Sequence, residues 1–231
     1  MIYILLPCYN EYQNIKIIIK KINNLSFKLK YSFKIIIIND GSTDKTDIFI
    51  NKIKKISKNK IIYIKHKKNL GLNNSMFSGF KKFIYLGRIN DLIITLDSDN
   101  THPISLFPRL IKLIKNKKID LVIASRFQNG SKVIGLSFFR KLLSEVARIV
   151  FKLTISINNV EDYTCNFRAY SFKIVKKSKL INKKFFLNKD FSIAADLLVN
   201  LKKNCPNIKI AEIPLILRYD KKIGESKMKI L

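Results

Sequence analysis

The chain has 231 residues, 47% hydrophobic and 26% charged, enough for one sizeable core; with no linker, repeat or composition break, 1–231 reads as a single domain. Its formal charge of +29 implies an anionic partner (nucleic acid, an acidic membrane surface or phosphorylated substrates), although the lysines are scattered too evenly to say where it binds. Cys8, Cys165 and Cys205 are isolated, which excludes a zinc cluster or disulfide framework and fits a reducing cytosol. No apolar run reaches the ~18 residues of a transmembrane helix, and the strand-like IYILLP directly after Met1 leads us to expect no signal peptide.

In chain order, the pattern predicts a strand over 2–6, a helix over 11–23, a strand over 34–38 and a helix over 43–56. A strand over 60–64, a helix over 72–86, a strand over 92–96, a helix over 104–114 and a strand over 119–124 complete the series. Such alternation predicts an α/β fold with a mostly parallel sheet flanked by helices. Ligands bind beyond the carboxyl ends of the strands in such sheets. Four polar clusters fall there: Pro7 to Glu11 (PCYNE), Asn39 to Ser42 (NDGS), Asp97-Ser98-Asp99, and Ser125-Arg126. No Walker A spacing and no G-x-G-x-x-G follows the first strand, so P-loop and dinucleotide chemistry are excluded.

Asp97 and Asp99 are two apart at a strand end, so an extended backbone would point both carboxylates to one side. Two such charges call for a proton or a hard cation between them, and Mg²⁺ sharing its coordination with substrate phosphates would serve. Taken alone, capping of a helix that begins near Pro103 is the stronger reading of this turn. Only seven of the 45 basic residues are arginine: Arg88, Arg109, Arg126, Arg140, Arg148, Arg168 and Arg218. In a lysine-rich chain these mark positions where a planar, bidentate donor is needed, typically against phosphate or carboxylate. Residues 142–157 (LLSEVARIVFKLTISI) are apolar around much of a helix, as an interfacial helix or a core helix would be.

Together these segments resemble family 2 glycosyltransferases of the GT-A fold, within them the polyprenol-phosphate (dolichol-phosphate mannose synthase-like) sugar transferases. Pro7-Cys8-Tyr9-Asn10-Glu11 is similar to the family's P-x-Y-N-E, and Asn39 to Asp44 to its D-D-G-S-x-D with Asn in the first place. Asn69-Leu70-Gly71 resembles N-x-G, residues 97–103 D-x-D-x-x-H-P, and Ser125-Arg126-Phe127 G-S-R-[YF]. Residues 162–170 resemble D-x-T-x-G-F-R-x-[YF], with Cys165-Asn166 departing from it, and Arg218 with Gly224 to Lys227 resembles R…G-x-S-K. These matches keep their order over nearly the whole chain.

The resemblance implies an inverting transfer of sugar from a UDP- or GDP-sugar, with residues 1–125 holding the donor and 126–231 the acceptor and a closing loop. It assigns Pro7, Tyr9, Glu11 and Asp40 to the nucleotide, and Asp97 and Asp99 to Mg²⁺ or Mn²⁺. Arg218, Ser226 and Lys227 would close over the diphosphate. Arg126 and Arg140 would bind an acceptor phosphate, with Arg168 in the same substrate region. Thr101 stands where many relatives carry Gln, and its reach is shorter. Asp162 remains open: with a saccharide hydroxyl acceptor Glu161-Asp162 would supply the general base, and with a polyprenyl phosphate the same region would shape the acceptor site. The resemblance further implies a cytoplasmic protein at the membrane face, with contact peripheral or shared with a partner protein if the chain ends at Leu231. A basic nucleic-acid-binding module is the competing class; only the charge supports it, so no nucleic acid is expected.

Overall fold

A computed structural model describes residues 1–178 and 193–224. Seven strands form one sheet in the order β3-β2-β1-β4-β7-β5-β8. The first half is the expected alternation: β1 (Ile2–Cys8), α1 (Tyr12–Leu29), β2 (Phe33–Asn39), α2 (Thr46–Ile56), β3 (Lys60–Lys65), α3 (Leu72–Leu86) and β4 (Leu92–Thr95). Then come α4 (Phe107–Asn116), β5 (Leu121–Ser125), β6 (Lys132–Ile134), α5 (Phe138–Thr154), β7 (Arg168–Ser171), α6 (Phe172–Lys177), α7 (Ile193–Asn204), β8 (Ile210–Pro214) and β9 (Ile216–Arg218). β6 and β9 make a separate two-stranded ribbon.

The side-chain alternation of β1 assembles the core. Ile2, Ile4, Leu6 and Cys8 pack on one side with Ile15, Ile18, Ile19 and Ile22 of α1 and Phe107, Leu110 and Ile111 of α4. Tyr3 and Leu5 pack on the other with Met76, Phe80 and Phe83 of α3 and the apolar residues of α6 and α7. Both faces of the sheet are therefore covered, which is why its strands read as continuous apolar runs.

Two features of topology place the site. β1 is flanked by β2 on one side and β4 on the other, so strand order reverses there, and the carboxyl ends of β1 and β4 are where such a sheet binds ligands. β7, which the apolar pattern does not announce, inserts antiparallel between β4 and β5, pairing Thr95 with Arg168 and Ile123 with Arg168. Because it runs the other way, its first residues arrive at the rim where β4 and β5 end.

Three boundaries differ from the expected ones for local reasons. The helix expected from 43 begins at Thr46, because Thr43 and Asp44 donate their amides to the Asn10 side chain at 2.8 and 3.3 Å. Residues 104–106 form a 3-10 turn before α4, whose Pro108 occupies the first turn, where a missing N–H costs nothing. α1 runs on to Leu29 and ends in a left-handed Lys30.

Candidate active site

The rim begins with the turns after β1 and β2, which are tied together. Asn10, in a left-handed conformation, donates its backbone amide to Ser42 Oγ at 2.9 Å, and Glu11 donates its own to Thr46 Oγ1 at 3.1 Å. Asn39, where the family pattern has Asp, accepts the Ser42 amide at 2.9 Å and donates Nδ2 to the Tyr63 hydroxyl at 2.8 Å. That hydroxyl in turn donates to Asp47. The amide at position 39 thus supplies a donor that a carboxylate lacks.

Asp40 is buried and organises the next loop. Its Oδ1 lies 2.6 Å from His66 Nδ1 and accepts the Leu70 amide at 3.0 Å, while Oδ2 accepts the Gly71 amide at 2.8 Å. His66 Nε2 contacts Ser78 Oγ at 2.9 Å. The adjoining Gly41 has φ +70°, and a Cβ there would lie 2.4 Å from the Lys68 carbonyl carbon. Only glycine lets the two loops close on each other. Pro7, Tyr9 and Glu11 line the same edge half-buried, with Glu11 Oε2 accepting from Asn14 Nδ2 at 2.7 Å.

Asp97 and Asp99 follow β4, as anticipated, but they do not cap a helix: no side chain caps either the 3-10 turn or α4. The Asp97 amide donates to His102 Nδ1 at 3.2 Å, and the His102 ring lies against Phe167, 5.1 Å between centroids. Asp99 Oδ1 accepts both the hydroxyl and the amide of Thr101, at 2.7 and 3.2 Å. Thr101 therefore braces the Asp99 carboxylate. Asp99 Oδ2 accepts from Lys222 Nζ at 3.1 Å.

Burial, with the Asp99 charge beside it, pushes the Asp97 carboxyl above its ordinary pKa. Burial acts on Asp99 in the same direction, but His102, Lys222 and Thr101 outweigh it and leave its pKa below the usual value. The pair fits a divalent cation by its chemistry: two oxygen donors, one of them short of counter-charge. Among the described residues no group of three or more His, Cys, Asp or Glu could hold a metal by itself. Such an ion would need ligands from a bound diphosphate and water, the habit of Mg²⁺-type ions.

Arg126 and Asp162 form the second half of the site. Asp162 is fully buried, and its Oδ2 accepts from the Arg126 amide at 2.9 Å and Nε at 2.8 Å. Oδ1 accepts from Arg126 Nη2 at 2.7 Å and from the Thr164 and Cys165 amides at 3.3 and 3.0 Å. Although burial opposes it, the Arg126 guanidinium holds the Asp162 pKa below the usual carboxylate range. Burial also pushes the Cys165 thiol up to about 12, so it is no nucleophile. Two arginines lie over Phe127, their guanidinium carbons (Arg126 and Arg148) 5.3 and 5.0 Å from its ring centroid.

The remaining candidates separate. Arg168 is fully buried behind the rim, with Nη1 donating to the Ala194 carbonyl at 2.6 Å and Nη2 to that of Tyr163 at 2.8 Å. Arg140 lies half-buried in the first turn of α5. The Arg218 side chain pairs bidentately with Asp220 at 2.8 and 2.7 Å. Ser226 and Lys227 lie outside the described residues. Sequence reasoning missed His66, Asn166, Tyr219 and Lys222. Asn166 Nδ2 comes to 3.5 Å from Asp97 Oδ1. Burial raises the Tyr219 phenol pKa, with Arg126 opposing the rise and Asp97 and Asp99 adding to it, so charges of both halves act on this phenol.

A strand-order switch point, with an acidic pair just after β4 and an arginine–aspartate pair beyond β5, has the arrangement expected of a GT-A sheet. The glycosyl transferase family 2 model matches residues 3–182. The chain belongs to glycosyl transferase family 2. It is 29% identical over 227 residues to a dolichol-phosphate mannosyltransferase of Pyrococcus furiosus, covering 98% of this chain and 58% of that protein. It is 26% identical over 226 residues to a UDP-N-acetylglucosamine–dolichyl-phosphate N-acetylglucosaminyltransferase of Methanococcus voltae, covering 93% of this chain and 84% of the relative. Among solved structures, glucosyl-3-phosphoglycerate synthase from Mycobacterium tuberculosis, in complex with Mn2+, UDP and phosphoglyceric acid, superposes with TM-score 0.63 at 19% identity, over 94% of this chain and 69% of that one. That likeness establishes the GT-A fold.

Proposed function

We propose that the chain is an inverting, metal-dependent sugar transferase that moves a sugar from a nucleotide-diphosphate sugar to a polyprenyl phosphate at the cytoplasmic face of a membrane. The observation that carries the acceptor assignment is the state of Asp162. A general base needs a free, reachable carboxylate, and here both oxygens are committed to Arg126 and to backbone amides. A phosphate acceptor is already anionic and needs cations rather than a base. The two curated relatives described above are named for dolichol-phosphate or dolichyl-phosphate transfer, in the same direction.

In this reading residues 1–125 form the donor part, where Pro7, Tyr9, Glu11 and Asp40 hold the nucleotide. Asp97 and Asp99 would hold Mg²⁺ or Mn²⁺, which supplies Lewis-acid stabilisation of charge growing on the departing diphosphate. A phosphate oxygen of the acceptor attacks the anomeric carbon from the opposite face, the bond from that carbon to the diphosphate oxygen breaks, and the nucleoside diphosphate leaves. Arg126, kept charged by Asp162, and Arg140 position the acceptor phosphate. Arg168 acts from behind by holding the 163–168 turn in shape; Arg218 lies on the segment that crosses the acidic turn, and the diphosphate role expected of Ser226 and Lys227 falls outside the described residues.

α5 supports the membrane side of the reading. None of its residues is buried. Phe138, Phe139, Leu142, Leu143, Val146, Ile149, Val150 and Leu153 all face outward, Phe138 and Leu153 at 82% and 79% exposure. Inward, Arg148 pairs with Glu161 at 3.1 Å and Phe151 stacks on Tyr163 at 5.6 Å. The helix thus turns its polar and aromatic anchor to the site and its apolar stripe outward, as an interfacial helix does. Among the described residues no helix is long and apolar enough to cross a membrane. The +29 charge would favour an anionic leaflet.

The donor half is tested by a thermal-shift panel of UDP- and GDP-sugars with and without Mn²⁺. One nucleotide should raise the melting temperature of the wild type only with metal, and Asp99→Ala should lose that shift. A panel in which no nucleotide stabilises the wild type would end the donor assignment.

A further inference from the structure

The segment after β9 lies across the acidic turn through a series of contacts that the family pattern does not announce. The Arg218 amide donates to the Thr101 carbonyl at 3.0 Å, and Asn100 Nδ2 donates to the Lys221 carbonyl at 3.1 Å. Asn14, buried on α1, then grips the Ile223 peptide from both sides: Nδ2 donates to its carbonyl at 2.9 Å, and Oδ1 accepts its amide at 3.3 Å. Held between these two anchors, Lys222 has its ammonium directed at Asp99 Oδ2, 3.1 Å away, with side-chain exposures of 15% and 14% for the pair. A lysine so confined is a placed charge, unlike the many solvated lysines of this chain.

We infer that Lys222 is the exchangeable counter-ion of Asp99: it neutralises the acidic pair while the donor site is empty, and passes from Asp99 to the leaving diphosphate when metal and nucleotide bind. This rests on the donor-site reading above and adds a residue to it. Asp99 Oδ2 cannot serve a divalent ion and an ammonium equally well, so the two cations compete for it. Once a diphosphate is present, it offers anionic oxygens beside the same carboxylate, and the ammonium gains a new partner without leaving its backbone anchors. Metal entry alone is thereby opposed, and metal with nucleotide is favoured, which couples the two bindings.

The coupling is measured on the full chain by titrating Mn²⁺ alone, followed by electron paramagnetic resonance, and UDP in saturating Mn²⁺, followed by calorimetry. Lys222→Met should bind Mn²⁺ alone about fivefold more tightly and UDP with Mn²⁺ about fivefold more weakly, the scale of a well-ordered, mostly shielded ion pair. Lys222→Arg, which keeps the charge, should stay near wild type in both. Opposite shifts of the two ligands cannot come from misfolding, which would weaken both. Unchanged Mn²⁺ affinity in Lys222→Met, unchanged UDP affinity, or weakening of both would overturn the inference. A wild type that binds neither Mn²⁺ nor UDP would instead overturn the donor-site reading itself.

Discussion

Replacing Asp162 by Asn separates a structural carboxylate from a catalytic base. The carboxylate accepts five hydrogen bonds, three of them from Arg126 and two from the Thr164 and Cys165 amides. An amide keeps one acceptor oxygen and puts an NH₂ where the other was. With NH₂ at the Oδ2 position it confronts the Arg126 amide and Nε; at the Oδ1 position it confronts Nη2 and the two turn amides. In either orientation a guanidinium that is itself largely shielded loses its counter-charge. Breaking a buried pair from one side costs about 3–5 kcal/mol, which for a chain of this size lowers the melting temperature by roughly 10 °C. Removing both partners together, in Arg126→Met with Asp162→Asn, should cost less than the sum of the single changes, with a coupling of about 3 kcal/mol.

The pH dependence follows from the same pair. The folded pKa of Asp162 lies below its unfolded value, so its stabilisation is complete above the ordinary aspartate pKa and is lost as pH falls through the folded one. The gap in melting temperature between wild type and Asp162→Asn should therefore be widest near neutrality and close in acid. Thermal unfolding across pH, read beside single-turnover transfer, is the assay. An Asp162→Asn protein that melts like wild type but has lost transfer would refute the structural role and restore the general-base alternative.

Three further outcomes are expected. Gly41→Ala should destabilise the protein by roughly 2–3 kcal/mol and weaken nucleotide binding, because a positive φ and a backbone contact at 2.4 Å both oppose a Cβ; denaturant unfolding and UDP titration check it. Phe139→Asp with Val146→Asp on α5 should leave the melting temperature within about 1 °C, since both side chains are already exposed. The same double variant should bind anionic phospholipid vesicles at least about tenfold more weakly in co-sedimentation, from the transfer free energy of the two apolar groups. Asn39→Asp should weaken the contact to Tyr63, whose hydroxyl already donates to Asp47 and would meet a second carboxylate; a loss of about 1 kcal/mol in stability is expected.

The parallel half of the fold was legible because β1 to β5 are apolar runs between helical patterns, and burial on both faces demands that composition. β7 was not legible: Arg168–Ser171 is four residues long and opens with a fully buried arginine, which reads as a loop until the Ala194 and Tyr163 carbonyls are seen to accept from its two Nη groups. The candidate site divides in the same way. Asp97, Asp99 and Asp40 could be found because strand ends are where such sheets bind ligands. The pairing of Arg126 with Asp162 spans 36 residues, and that of Lys222 with Asp99 spans 123. Contacts so distant leave no local period. Lys222 was further hidden by the abundance of its own kind, and the Asn100 and Asn14 anchors on its neighbours distinguish it from a solvated lysine.

The central claim is that the sugar goes to a lipid phosphate without a protein base. Its most direct measurement is transfer of labelled sugar, from whichever nucleotide donor stabilises the protein, to undecaprenyl or dolichyl phosphate in detergent, set beside transfer to free saccharides. The account predicts Mn²⁺- or Mg²⁺-dependent formation of a sugar–phosphate linkage on the lipid, inverted at the anomeric carbon. Transfer to saccharide hydroxyls alone, with the lipid phosphate left unmodified, would contradict it.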